Sequence, residues 1–100
     1  MSNWFTYILY SLKINRYYVG STDDLDWRLE RHNLGWGRYS KKGIPWKLIY
    51  YETFQTKTQA IRREKEIKSK KSRLYIEKLV KAGGRPEYNS GSLVGPAKIK

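Results

Sequence analysis

Residues 4–20 read Trp4-Phe5-Thr6-Tyr7-Ile8-Leu9-Tyr10, then a short polar stretch, then Tyr17-Tyr18-Val19-Gly20. Both runs are rich in aromatic and β-branched residues, which favour strands. A four-residue loop over residues 11–14 would join them as an antiparallel hairpin. In that register Tyr7 and Tyr18 are cross-strand neighbours, with Cβ atoms about 5 Å apart on one face. The pattern therefore predicts a hairpin that directs two phenols at one point.

The next segments predict a helix, a basic loop and a third strand. Thr22 or Asp23 is expected to cap a helix that runs to about Asn33, because acids follow in its first turn and Gly35 lies just past its end. A basic loop follows. The aromatic and β-branched run Trp46–Phe54 then predicts a third strand.

Two further helices complete the predicted domain. Thr56 followed by Gln59 is a capping-box pattern for a second helix that runs to about Ser69. A third helix is expected from about Ser72. Its packing residues would be Leu74, Ile76, Leu79 and Val80.

The fold class that follows is α+β, with a small three-stranded antiparallel sheet flanked by about three helices. The 100 residues are enough for one modest core. Residues 1–82 would form this domain, and residues 83–100, rich in Gly, Pro and Ser, a C-terminal tail.

Composition narrows the class of function. The net charge is +12 with 15% aromatic residues, so the surface attracts polyanions, of which phosphate backbones are the commonest inside cells. The absence of cysteine excludes disulfides and thiolate metal sites. There is no apolar run of membrane-spanning length and no secretory signal pattern. We expect a soluble cytoplasmic protein that binds nucleic acid and not membranes.

Three ionisable residues interrupt the apolar faces of the first two helices. In the first helix one face collects Leu25, Arg28, Leu29 and His32. In the second helix the same spacing collects Ala60, Ile61, Glu64 and Ile67. Because buried charges need partners, a cleft or a ligand, Arg28, His32 and Glu64 could converge on the sheet face that carries the tyrosines.

Each of these residues also has an ordinary structural explanation. For any one of them taken alone, an ion pair of Glu64 with Arg28, or a hydrogen bond from His32 to a carbonyl, is the more frequent arrangement. A single Tyr in a strand is common as well. The combination of two facing phenols with an inward Arg, His and Glu is what points to catalysis.

At these positions the chain resembles the GIY-YIG nuclease family, in particular its small stand-alone members and the N-terminal nuclease domain of the bacterial excision-repair incision subunit. The resemblance covers about residues 4–89. The first motif is represented by Phe5-Thr6-Tyr7, without its Gly and Ile, and the second by Tyr18-Val19-Gly20. Arg28 corresponds to the family's Arg ten residues after the second tyrosine, and His32 to the next position on that helical face.

Two later segments carry the rest of the resemblance. Residues 59–68 are similar to the metal-binding helix of the family, with Glu64 rather than Glu66 at the carboxylate position. Residues 85–89 are similar to a segment in which some members place a polar Asn beside the site, so the tail would pack near the site through Asn89.

The resemblance implies a division of labour in phosphodiester hydrolysis. Glu64 would hold one Mg²⁺, or Mn²⁺ in its place, and Arg28 would clamp the scissile phosphate. Tyr7 would be the general base if a nearby cation lowers the pKa of its phenol, and would otherwise position water. Tyr18 and His32 would orient the water or the phosphate.

Basic residues outside this set are expected to follow the DNA backbone on either side of the cleft. They are Arg31, Arg38, Lys41, Lys42, Arg62, Arg63, Lys68, Lys70 and Lys71. Because the sequence shows no separate DNA-reading domain, we expect weak sequence specificity, a preference for nicked or branched DNA, and a role in DNA repair or processing.

Two alternatives stay open on the sequence alone. The chain could be a basic nucleic-acid-binding module without turnover, whose aromatics stack on bases. It could also be a nuclease that needs a protein partner. Glu64 argues against a pure binder, which gains nothing from a carboxylate facing a basic cleft. The favoured hypothesis is a monomeric, Mg²⁺-dependent DNA endonuclease.

Overall fold

The sheet has three antiparallel strands, and its middle strand comes first in the sequence. The computed structural model describes residues 3–35 and 40–83. The strands β1 (Trp4–Ser11), β2 (Arg16–Thr22) and β3 (Trp46–Phe54) lie in the order β2-β1-β3. Helix α1 (Leu25–Asn33) follows β2, and α2 (Lys57–Ser69) and α3 (Arg73–Gly83) follow β3. The predicted α+β class, with three strands and three helices, is confirmed.

Helices cover both faces of the sheet. The core on the α1 side consists of Tyr7, Leu9, Leu25, Leu29, Trp46, Leu48 and Tyr51. The core on the side of α2 and α3 consists of Ile8, Val19, Ile49, Tyr50 and Ile67. Because side chains alternate along a strand, β1 contributes Tyr7 and Leu9 to one core and Ile8 to the other. The face that carries the tyrosines is therefore the one covered by α1.

The register of the β1–β2 hairpin differs from the predicted one by two residues. Tyr7 pairs with Gly20 and Leu9 pairs with Tyr18, whereas we expected Tyr7 opposite Tyr18. The loop lies one residue later than expected and ends at Asn15, whose φ of 55° is a left-handed conformation that Asn tolerates. A shift of two residues preserves the alternation of side chains, so both tyrosines still lie on one face.

Gly20 makes room for the phenol of Tyr7. A Cβ atom at position 20 would lie 2.5 Å from the hydroxyl oxygen of Tyr7 and 2.7 Å from its Cζ. A larger residue there would have to displace a ring that is packed in the core. The glycine of the second motif therefore lets the Tyr7 side chain extend across the backbone of β2.

The ends of α1 follow the sequence signals in part. Its N-cap is Asp24, whose carboxylate accepts a 3.0 Å hydrogen bond from the backbone N–H of Trp27. The predicted caps, Thr22 and Asp23, are wrong because Thr22 still belongs to β2. Gly35 lies just past the helix with a φ of 83°, as the prediction required.

The second and third helices also follow the prediction with one exception. The capping box of Thr56 and Gln59 is present at the start of α2. In α3, Ile76 and Leu79 pack against the sheet, but Leu74 is 60% exposed. Leu74 and Ile76 lie about 200° apart on a helix, so both cannot face one core. Neither these helices nor α1 has the length and apolar character to cross a bilayer.

Candidate active site

Tyr7 lies at the centre of the candidate site. Its side chain is 2% exposed in the middle strand, and its hydroxyl lies 3.5 Å from Nε2 of His32. The ring of Tyr18 is next to it on the same face, with the ring centroids 6.3 Å apart. The two phenols of the hairpin therefore lie together, although diagonally rather than directly opposite.

Helix α1 places His32 and Arg28 over this face. His32 is buried, and its imidazole packs edge-on against the ring of Tyr18 with centroids 4.5 Å apart. Arg28, one turn earlier, is half-buried. Leu25 and Leu29 hold the helix against the sheet. The helical spacing that predicted an inward face thus accounts for how His32 reaches Tyr7 and why Arg28 lies on the same side of α1.

Arg28 carries a buried donor that no described residue satisfies. Its Nε is buried and lacks a hydrogen-bond partner within residues 3–35 and 40–83. A buried charged donor without a hydrogen-bond partner destabilises the fold unless an anion accepts its hydrogen bond. Glu64, a possible ion-pair partner of Arg28 on the sequence alone, pairs with Lys68 instead. Arg28 therefore keeps one hydrogen-bond donor that the described residues do not use.

Glu64 approaches the site from the other side of the sheet. Its helix, α2, packs on the face opposite the tyrosines, and Glu64 lies at β2, where its Oε1 accepts a 2.8 Å hydrogen bond from the hydroxyl of Ser21. Its Oε2 lies 2.6 Å from Nζ of Lys68. The sequence suggested that Arg28, His32 and Glu64 could converge on the tyrosine face, but Glu64 lies on the opposite face of the sheet. The negative charge of Glu64 nevertheless contributes to raising the pKa of the Tyr7 phenol.

Burial decides the protonation of Tyr7. It raises the pKa of the Tyr7 phenol well above its ordinary value, the neighbouring Tyr18 and Glu64 raise it further, and the nearby Arg28 opposes them without overcoming them. The predicted base role depended on a cation lowering this pKa, and that condition is not met. Tyr7 is therefore a neutral phenol that can donate or accept a hydrogen bond.

The pKa shift of His32 keeps its imidazole unprotonated and also weakens it as a base. Burial, and then the positive charge of Arg28, lower the pKa of its imidazole to about 4. The ring is neutral near pH 7, and one of its nitrogens is an acceptor. The residue that we expected only to orient water or phosphate is thus the unprotonated base nearest the Tyr7 hydroxyl.

The His32 shift predicts how stability depends on pH. The pKa is about 4 in the folded chain and about 6.5 in the unfolded one, so the unfolded chain binds more protons between these values. The free energy of unfolding should therefore fall as the pH drops from about 6.5 to about 4, by an amount on the order of 2 kcal/mol attributable to His32. Urea unfolding across this range measures it.

The matched variant for this measurement is His32→Gln, which does not titrate. Its unfolding free energy should depend less steeply on pH than that of the parent protein between about pH 4 and 6.5. Equal slopes in the two proteins would show that His32 is not the titrating group.

The donor set suits a metal ion bound through one carboxylate. Residues 3–35 and 40–83 contain no group of three His, Asp or Glu side chains that could cage a metal. Mg²⁺ does not require such a cage, because it commonly keeps several waters and binds through one or two carboxylates together with substrate phosphates. Glu64, 19% exposed and fixed by Ser21, fits that mode of binding.

The predicted phosphate-binding residues fall into three groups. Lys41 and Lys42 are exposed in a 3₁₀ turn (Ser40–Gly43), and Arg31 places its guanidinium 4.9 Å over the ring of Trp27 on α1. At α2 and just beyond it are Arg62, Lys68, Lys70 and Lys71, all exposed. Arg38 and the candidate site residue Asn89 lie outside the described residues.

The guanidinium of Arg63, which is predicted to contact DNA, is engaged in ion pairs within the fold. Its guanidinium donates to both carboxylate oxygens of Glu52 on β3, at 2.9 and 3.0 Å, and pairs with Glu66 at 3.1 Å. It also donates to the hydroxyl of Tyr75 on α3 at 3.4 Å, and the Tyr50 hydroxyl donates to the same Glu52. Arg63 therefore connects α2 to β3 of the sheet and to α3.

Arg63→Ala should therefore destabilise the fold. Removing a half-buried bidentate partner of Glu52 is expected to lower the free energy of unfolding by about 2–3 kcal/mol. Arg62→Ala removes an equal charge from the exposed neighbouring position and should change stability by no more than about 0.5 kcal/mol. Urea unfolding of both variants checks this, and equal effects would remove the structural role of Arg63.

Ser21 and Trp27 lie beside predicted site residues but were not themselves predicted from the sequence. Ser21 follows the second motif directly and, by the alternation of β2, lies on the α2 side, where it meets Glu64. The alternation of side chains along β2 predicts the face on which Ser21 lies. Glu64 can be identified as its partner only when the position of α2 is known. Trp27 is 41% exposed, and the guanidinium groups of Arg28 and Arg31 lie over its ring, an arrangement that net charge alone does not predict.

Among the described residues, Tyr7, Tyr18 and His32 lie together on one face of the sheet, and Glu64 lies at β2 on the other face. The GIY-YIG catalytic domain matches residues 3–79. The chain belongs to this family. Membership suggests nuclease activity and implies DNA as the substrate.

Relatives and a solved structure agree with the assignment. The UPF0213 protein YazA of Bacillus subtilis strain 168 is 41% identical over 80 residues, which cover 76% of this chain and 80% of the relative. A UPF0213 protein of Staphylococcus aureus strain Mu3 is 39% identical over 83 residues, covering 78% and 100%. The solution NMR structure of the UPF0213 protein BH0048 from Bacillus halodurans has a TM-score of 0.54 and 36% identity, covering 84% of this chain and 88% of that one.

Proposed function

We propose that this protein is a metal-dependent DNA endonuclease that hydrolyses phosphodiester bonds. The proposal rests on the cluster around Tyr7. The Tyr7 hydroxyl contacts His32, and the charges of Arg28 and Glu64 both affect the pKa of the Tyr7 phenol. Phosphodiester hydrolysis needs a clamp for the phosphate, an acceptor for the proton of water, and charge stabilisation at the leaving oxygen. Each need has a candidate residue in this cluster.

Arg28 is the proposed clamp for the scissile phosphate. The planar guanidinium can give two parallel hydrogen bonds to phosphate oxygens, and its buried Nε has no competing protein partner in the described chain. The same positive charge stabilises the negative charge that develops on those oxygens as water attacks phosphorus.

His32 and Tyr7 are the proposed proton acceptors for the attacking water. The Tyr7 hydroxyl lies 3.5 Å from Nε2 of the neutral imidazole, so it can accept a proton from water while passing its own to His32. Arg28 lowers the pKa of His32, and a phosphate that neutralises Arg28 would therefore raise the basicity of His32 when substrate is bound. Tyr18 would hold the imidazole through its edge-on contact.

Glu64 is the proposed metal ligand, with Ser21 fixing its carboxylate. When bound, Mg²⁺ or Mn²⁺ supplies positive charge that stabilises the leaving oxygen. Because Arg28 and His32 lie on α1 and Glu64 on α2, the scissile phosphate would sit beside β2, between the two helices.

We further propose that the substrate is recognised through its backbone. Lys41 and Lys42 on one side, and Arg62, Lys70 and Lys71 on the other, are exposed cations suited to phosphates and carry no base information. Such a surface favours nicked or branched DNA over a defined sequence, which suits repair or processing. We propose that the chain acts as a monomer, with a protein partner able to supply further selectivity.

Cleavage of supercoiled plasmid and of a labelled branched duplex tests the proposal. Each substrate is incubated with the protein in Mg²⁺, in Mn²⁺ and in excess chelator, and DNA binding is measured in parallel. Cutting that requires the metal is the expected result. Binding to both substrates without cutting under any condition would favour a nucleic-acid-binding module instead.

A further inference from the structure

The carboxylate of Glu64 has both oxygens occupied by side chains of very different kinds. Oε1 accepts a 2.8 Å hydrogen bond from the Ser21 hydroxyl, which is fixed to β2. Oε2 lies 2.6 Å from the ammonium of Lys68, one turn later on α2. The carboxylate is 19% exposed and the Lys68 side chain 51% exposed. One partner is short, neutral and strand-bound, and the other is long, charged and reaches solvent.

These two partners differ in how readily they are displaced. A serine hydroxyl fixed on a strand keeps its direction when a cation approaches and leaves the second oxygen available. A lysine four residues along a helix forms a weak, salt-sensitive pair, because the flexible side chain loses freedom to make it. A divalent ion at Oε2 would have to replace the Lys68 ammonium, since two cations cannot share that position.

We propose that Ser21 is a positioning residue for Glu64 and that Lys68 is a displaceable cation that competes with the metal for the Glu64 carboxylate. The inference rests on the proposed metal-dependent function. Metal binding would then release the Lys68 ammonium from Glu64, and the ammonium could form an ion pair with a DNA phosphate beside the site. Lys68 would thus lower metal affinity when DNA is absent and contribute to DNA binding when the metal is present.

The test measures Mn²⁺ binding to the protein without DNA, by the EPR signal of free Mn²⁺. Lys68→Gln should bind Mn²⁺ about 3–10-fold more tightly than the parent protein, because a cation next to the ligand oxygen is removed. Lys65→Gln makes the same charge change at an exposed position of α2 and should alter the affinity by less than about 2-fold.

Ser21 is tested by two variants with opposite expectations. Ser21→Ala removes the hydrogen bond to Oε1 and should weaken Mn²⁺ binding about 10-fold, as is typical for the loss of an outer-shell partner. Ser21→Thr keeps a hydroxyl and should restore the affinity. Urea unfolding of both variants separates this effect from a loss of folded protein.

Three results would overturn the inference. If Lys68→Gln and Lys65→Gln change the Mn²⁺ affinity equally, the effect of Lys68 is one of net charge and not of competition at Glu64. Equal Mn²⁺ affinity in Ser21→Ala and the parent protein would remove the positioning role. Equal affinity in Glu64→Gln and the parent protein would place the ion elsewhere. Because Mn²⁺ binding is read without DNA, a chain that binds as expected but does not cut would refute the nuclease proposal alone.

Discussion

Arg28→Lys should reduce the single-turnover rate of DNA cleavage by about 100-fold or more while leaving the fold intact. Lysine keeps the positive charge but loses the planar fork, so it cannot give two directed hydrogen bonds to the scissile phosphate. It also lacks an Nε donor, which in Arg28 is buried and has no hydrogen-bond partner in the described chain. Loss of one such contact to the developing charge typically costs a rate factor of about 10²–10³.

Arg16→Lys is the matched control for this experiment. Arg16 is exposed at the start of β2, outside the proposed site, so its variant should cleave at the parental rate. Cleavage rates are compared at saturating protein, with unfolding curves recorded for each variant. If Arg28→Lys cuts within about 3-fold of the parent protein, charge alone suffices and the proposed clamp is wrong.

Glu64→Gln should abolish metal-dependent cleavage, lowering the rate by at least about 100-fold, while DNA binding persists or strengthens. The amide has the same shape and can still accept the hydrogen bond from Ser21, but it is neutral and a poor ligand for Mg²⁺. Removing a negative charge from a protein of net charge +12 does not weaken its attraction to phosphate.

Glu66→Gln provides the comparison on the same helix. Glu66 is an exposed carboxylate two residues away that pairs with Arg63, so its variant should cleave normally. Plasmid and branched-duplex cleavage, with binding followed by fluorescence anisotropy, reads both variants. Substantial cutting by Glu64→Gln would mean that another group holds the metal, and equal losses in the two variants would mean a general effect of charge.

Local sequence signals predicted most of the fold. The bounds of β3 and α2 were predicted closely because an aromatic and β-branched run and a capping box each mark an element through neighbouring residues. The hairpin register was wrong by two residues because it depends on which residue of the loop takes a left-handed conformation. It also depends on the space that Gly20 leaves for Tyr7, a contact between strands.

The candidate site was predictable as a set of residues and less so as chemistry. Helical spacing selected Arg28, His32 and Glu64, since that spacing directly encodes a shared face. It did not show that Glu64 lies across the sheet from the tyrosines, because the side on which α2 packs is a property of the chain topology. Nor could it give the protonation of Tyr7 and His32, which depends on burial in the assembled core.

The position of β2 at the border of the sheet has a consequence for self-association. In the order β2-β1-β3, one side of β2 has no strand neighbour in the described chain, and an open strand of this kind is where a second copy can add by backbone pairing. Here the same border separates the arginine on α1 from the carboxylate on α2. A copy added along β2 would cover the gap between them, so strand-to-strand dimers would exclude DNA, and DNA would in turn suppress such dimers.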